Sequence, residues 1–154
     1  MPIKSYKALI SLAKQDVDDK QRKVGALVSE ESGLWRKVEA LDAEVERERS
    51  IAARSTWDVA RTFAPYAQGA KKRRETLLKE IEGVRRKIDL ARIELQGAYM
   101  EQRKYERAEE MRVEKERKEA DRREAAELDE LAMLRHRWRQ RQEKDREAIE
   151  AGEV

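Results

Sequence analysis

Phe63-Ala64-Pro65-Tyr66-Ala67-Gln68-Gly69 holds the only proline of the 154-residue chain beyond Pro2. Proline disfavours helix at the residue before it and cannot sit in a helix interior without breaking the hydrogen-bond ladder. With Gly69 close behind, the stretch reads as the single turn of the chain, at about 63–69. It leaves two long helical segments, about 4–62 and 67–148.

Both segments carry a heptad stripe. In the first, Ile10, Ala13, Val17, Val24, Leu27, Leu34, Val38, Leu41, Val45, Ala52 and Val59 recur with alternating spacings of three and four, interrupted by Lys20, Glu31, Glu48 and Ser55. In the second, Leu77, Ile81, Val84, Ile88, Ala91, Leu95, Ala98, Gln102 and Tyr105 do the same. A stripe this narrow is a coiled-coil seam, not the broad face of a globular helix. The composition agrees. Charged residues make up 45% of the chain and aromatics 5%, and the mean hydropathy is −1.01. Such polarity fits either disorder or long helices burying one stripe, and a sustained period over residues 10–105 excludes disorder there.

A turn centred near residue 66 predicts the register. Leu27 meets Tyr105, Leu34 meets Ala98, Val38 meets Leu95, Leu41 meets Ala91, Val45 meets Ile88, and Ala52 meets Ile81. Seam falls on seam and Leu repeatedly faces Ala. The expectation is an all-α, two-helix antiparallel coiled-coil hairpin, one domain over 1–154, monomeric, with a C-terminal helix that overshoots its mate.

Toward the open end the same register places Val24, Val17 and Ile10 against Glu109, Glu116 and Arg123. Residues 106–127 hold almost no large apolar side chain, and apolar spacing resumes only at Leu128, Leu131, Leu134 and Trp138. Two apolar stripes without a mate then remain at this end, Leu9, Ile10, Ala13 and Val17 on one helix and Leu128, Leu131, Leu134 and Trp138 on the other. Exposed apolar surface costs about 25 cal/mol per Å², so both stripes point to a partner, unless a local phase slip lets the second helix cover the first after all. Arg135, Arg137, Arg139 and Arg141 flank the second.

The chain holds 36 basic and 33 acidic residues, a net +3. Mixed charge of this kind is unlike a uniform nucleic-acid binder. One local excess stands out. Residues 71–87 carry Lys71, Lys72, Arg73, Arg74, Lys79, Arg85, Arg86 and Lys87 against Glu75, Glu80 and Glu82, a net +5. Lys71, Lys72, Arg73 and Arg74 form a basic tip suited to an acidic partner surface, or else a solvated face. A nucleic-acid-binding hairpin using 71–87 is the reading from another class, and no DNA is expected.

The chemistry of catalysis is missing. There is no cysteine, hence no thiolate or disulfide, and the lone His136 cannot build a metal site. Gly69-Ala70-Lys71-Lys72 lacks the spacing of a phosphate-binding loop. The carboxylates alternate with bases on solvated helix faces, where general acid/base work has no shielded cleft. No cofactor and no metal is expected, and the chain is not an enzyme. Trp35 flanks the seam and covers it. Trp57, Phe63 and Tyr66 either pack over the turn or anchor a partner. No apolar run spans a bilayer and no signal peptide opens the chain, so a cytoplasmic protein is expected.

Two stretches resemble a known family. Leu9-Ile10-Ser11-Leu12-Ala13-Lys14-Gln15-Asp16-Val17-Asp18-Asp19 is similar to the N-terminal signature of FliJ, the stalk-like protein of the bacterial flagellar type III export apparatus. Glu127-Leu128-Asp129-Glu130-Leu131-Ala132, followed by an Arg-rich stretch, resembles its C-terminal signature. Length and hairpin architecture match over nearly the whole chain. The resemblance implies a non-enzymatic stalk whose paired ends enter the pore of the hexameric export ATPase. It also implies contacts with the cytoplasmic linker of the export gate and with export chaperones. The location would be cytoplasmic, peripheral to the inner membrane through partners only. The gate-binding stripe of enteric members does not carry over, because Gly69, Arg73, Thr76 and Glu80 stand where those members are apolar. The stalk of a virulence-type injectisome has the same architecture and is the nearest alternative.

Overall fold

The computed structural model describes residues 5–152; positions 1–4 and 153–154, including the expected helix start at residue 4, lie outside the described residues. Three helices follow in order: α1 (Lys7–Arg54), the single turn α2 (Trp57–Ala60) and α3 (Phe63–Glu150). The two long helices pack antiparallel as a helical hairpin. The chain divides into two compact units, one over Lys7–Tyr105 and one over the remaining described residues, 5–6 and 106–152.

The reversal lies at 55–62, one heptad before the expected 63–69. Ser55 ends α1. Its hydroxyl donates to the Ile51 carbonyl at 2.6 Å, and its N–H tightens onto the Ala52 carbonyl. Thr56 is extended (φ −62, ψ 158) and carries the chain out of the helix. The Thr62 hydroxyl then closes on the Val59 carbonyl at 2.7 Å. Among the described residues none other than glycine has a positive φ, so the reversal needs neither glycine nor proline and leaves no such mark in the sequence. Pro65 falls instead in the first turn of α3. The first four N–H groups of a helix have no intrahelical acceptor, so a missing one there costs nothing. At the far end, Gly152 takes a left-handed φ of 72 just after α3, and its N–H meets the Ile149 carbonyl. Glycine adopts this helix-ending conformation without strain.

In the unit over Lys7–Tyr105 the seam is a single thin layer. Leu34, Val38, Ile81, Val84 and Ile88 form the core cluster, with Leu27, Trp35, Leu77 and Leu78 packed against it. Ala13, Val17, Leu41, Ala70, Ala91 and Ala98 are also buried, while Val45, Leu95 and Tyr105 are half-buried.

Polar cross-links define the register. Arg85 donates from Nε to Glu31 at 2.9 Å, Arg74 donates to Asp42 at 3.0 Å, and Lys23 reaches Glu94 at 3.3 Å. Gln21 donates to the Tyr99 hydroxyl, and the Arg85 guanidinium lies 5.6 Å over the Trp35 ring. Each α1 residue therefore meets an α3 residue about fourteen positions earlier than expected, a slide of two heptads. This corrects the pairings of Leu34 with Ala98, Leu41 with Ala91 and Val45 with Ile88. Val38 now lies level with Ile81, Leu34 with Val84, Val17 with Gln102 and Ala13 with Tyr105. The slide follows from the turn: moving a reversal by one heptad displaces the facing strand by two, and seam still meets seam.

The Glu31–Arg85 link carries a pH dependence. The Arg85 hydrogen bond holds the Glu31 carboxyl below the ordinary glutamate range, helped by the Trp35 N–H and the charges of Arg85 and Arg92 and opposed by partial burial. A depressed folded pKa adds stability that is present above the unfolded value of about 4.3 and is lost as pH falls through the folded one. Glu31→Gln is therefore expected to flatten the acid limb of a thermal-melting profile below about pH 4.3. Parallel acid limbs for the variant and the natural protein would remove Glu31 from the register-setting pairs.

Candidate functional site

The expected sites separate on burial. Of the first end stripe, Ala13 and Val17 are 9% and 4% exposed, and Leu9 and Ile10 are half-buried. The expectation that this stripe lacks a mate is corrected. The two-heptad slide brings Tyr105 and Gln102 level with Ala13 and Val17, so these two belong to the seam and offer no free side chain.

The second stripe differs. Leu128, Leu131, Leu134 and Trp138 are 58%, 57%, 59% and 62% exposed. From residue 113 to residue 147 every described side chain is exposed, although α3 runs on without a break. A shallow groove between Leu134, Arg135, Arg137, Trp138 and Arg141 combines an indole and a leucine with three guanidinium groups.

Within the unit of 5–6 and 106–152, one partly shielded polar cluster is complete. Glu109 accepts the Tyr6 backbone N–H at 2.9 Å and Arg112 Nη2 at 2.7 Å, and Arg112 Nη1 reaches Glu116 at 2.7 Å. The hydrogen bond to Glu109, with both carboxylate charges, pushes the Arg112 pKa up and keeps the guanidinium charged. The cluster holds structure together and leaves no group free for chemistry.

The basic tip is only partly available. Arg74 is paired with Asp42, and Arg73 lies 5.9 Å over the Tyr66 ring. Further along, Arg85 is held by Glu31 and Arg86 by Glu82. Lys71 and Lys72 are exposed. Pairing lowers the local excess of charge that a nucleic-acid backbone would need. Beside the tip, Trp57 is 71% exposed with the Arg61 guanidinium 5.0 Å over its ring, while Phe63 and Tyr66 are half-buried, their ring centroids 6.3 Å apart. Burial and the Glu44 carboxylate push the Tyr66 pKa up.

Two features escaped the sequence reading. Ala70 is 2% exposed; it lies seven residues before Leu77 and extends the α3 seam, a signal hidden by assigning it to the edge of the turn. Leu90, Ile93 and Met100 form a second exposed apolar row on α3, legible as three- and seven-residue spacings offset from the seam.

An all-helical hairpin with one thin seam, long solvated faces and shallow grooves defines a class of protein that acts by presenting helix faces to other proteins. The chain belongs to the FliJ family: the family model described as Flagellar FliJ protein matches residues 3–143. No curated protein and no solved structure matches it. Membership makes the chain a non-enzymatic component of the flagellar type III export apparatus, with a stalk role. Among the described residues no helix is long and apolar enough to cross a membrane.

Proposed function

We propose that the chain is the cytoplasmic stalk of a flagellar export ATPase and docks in the hexameric ring through its C-terminal stripe. The observation that carries this reading is the solvent exposure of Leu128, Leu131, Leu134 and Trp138 on a continuous helix flanked by Arg135, Arg137, Arg139 and Arg141. A ring with an apolar sleeve and acidic pore loops suits that combination. Leu9 and Ile10, half-buried at the start of α1, are the further contacts at the terminal end. Ala13 and Val17 support the seam behind them. Lys71 and Lys72, with whatever Arg73 and Arg74 contribute beyond their pairing, form the surface proposed for an acidic partner such as the export-gate linker or an export chaperone. Membrane association arises through those partners alone. The matched family is the flagellar one, which favours flagellar export over the injectisome.

Changing Leu128, Leu131, Leu134 and Trp138 together to Ser is expected to abolish stimulation of the export ATPase. The thermal transition of the 7–105 hairpin should not move, because none of these side chains is packed. Full stimulation by this variant would refute docking through the stripe.

A further inference from the structure

Residues 124–141 are built as three blocks. Residues 124–130 hold Glu124, Glu127, Asp129 and Glu130 with no basic residue, 131–134 is Leu131-Ala132-Met133-Leu134, and 135–141 holds Arg135, Arg137, Arg139 and Arg141 with no acidic residue. All of it is helical and all of it is exposed. Among the described residues none of these eight charges forms an ion pair, although other pairs run along the chain up to Glu114–Lys118. For five of the eight the reason is spacing. Side chains on one helix pair at separations of three or four, and the apolar spacer puts even Glu130 and Arg135 five apart. The charges are complementary in sign and number, and Glu124, Asp129, Glu130, Arg135 and Arg137 have no opposite charge three or four positions away on their own helix, whereas Glu127, Arg139 and Arg141 have Arg123, Glu143 and Asp145 at that distance.

We infer that this segment pairs with the same segment of a second copy, antiparallel, about a two-fold axis between Ala132 and Met133. That axis sets Glu124 level with Arg141 of the second copy, Glu130 with Arg135, and Leu131 with Leu134, each twice. A parallel arrangement would set acid on acid and base on base. An isologous contact of this kind closes on itself and builds dimers, not filaments. Opposed charges fix the orientation and the register, and removing Leu131, Leu134 and Trp138 from water supplies the attraction. The dimer occupies the stripe used in the proposed ring docking, so it would hold that stripe covered until a ring competes for it. Mass alone reads out the pairing, and either proposal can fail without the other.

The test uses the full chain in sedimentation velocity at rising concentration and two salt levels. The natural protein is expected to double in mass, less readily at high salt because the opposed charges are exposed. Arg135→Glu, Arg137→Glu, Arg139→Glu and Arg141→Glu together should give a monomer. So should Glu124→Lys, Glu127→Lys, Asp129→Lys and Glu130→Lys together. An equimolar mixture of the two variants should recover the dimer, since each then meets its opposite. A natural protein that stays monomeric throughout overturns the inference, as do reversed variants that dimerise alone as readily as the natural chain.

Discussion

Thiols placed at Asp42 and Arg74 are expected to join within one chain almost completely under a short bifunctional crosslinker, while thiols at Asp42 and Leu90 stay separate. The chain has no cysteine of its own, so the background is clean. Arg74 donates to Asp42 at 3.0 Å in the structure. Leu90 is the residue that a turn centred on 66 would bring opposite Asp42, and it lies sixteen residues further along α3, about 24 Å away at the helical rise. The two outcomes therefore exclude each other. Crosslinking through Leu90 would restore the longer helix 1 and the turn at 63–69, and crosslinking only between chains would remove the hairpin altogether.

Truncating the seam is expected to have the largest effect on stability. Ile81 is 2% exposed and packs in the cluster with Leu34, Val38, Val84 and Ile88. A two-helix seam has no second layer to collapse into the space a lost side chain leaves. Ile81→Ala should therefore cost about 2–5 kcal/mol. For a unit of this size, even the lower figure lowers the melting temperature by about 8–16 °C. Leu12→Ala removes as large an aliphatic group from a side chain that is 61% exposed and should stay within about 0.5 kcal/mol of neutral. Equal shifts for the two variants, read by thermal melting followed by circular dichroism, would show that the seam is assigned to the wrong residues.

What these experiments separate is also what divides sequence from structure here. The helices, the seam residues and the antiparallel hairpin were legible in the sequence, because a 3-4 apolar period is a local signal repeated many times. The family resemblance at both ends was legible for a similar reason: short stretches carried it without any need for register. The position of the turn was not legible. Pro65 tolerates the first turn of α3 as well as it would a loop, and the actual reversal at Ser55–Thr62 uses hydroxyl caps and one extended residue instead of glycine.

Register was decided by the tertiary structure alone. A heptad stripe superposes on itself when slid by seven residues, so periodicity accepts the hairpin with its turn at 66 or at 59 equally well. Only pairwise contacts break that degeneracy, and Glu31–Arg85, Asp42–Arg74, Lys23–Glu94 and Gln21–Tyr99 join residues far apart in the chain. The consequence reaches function. With the register slid by two heptads, Ala13 and Val17 become core. The exposed apolar stripe at the C-terminal end then narrows to Leu128, Leu131, Leu134 and Trp138, where α3 continues with no side chain packed over it.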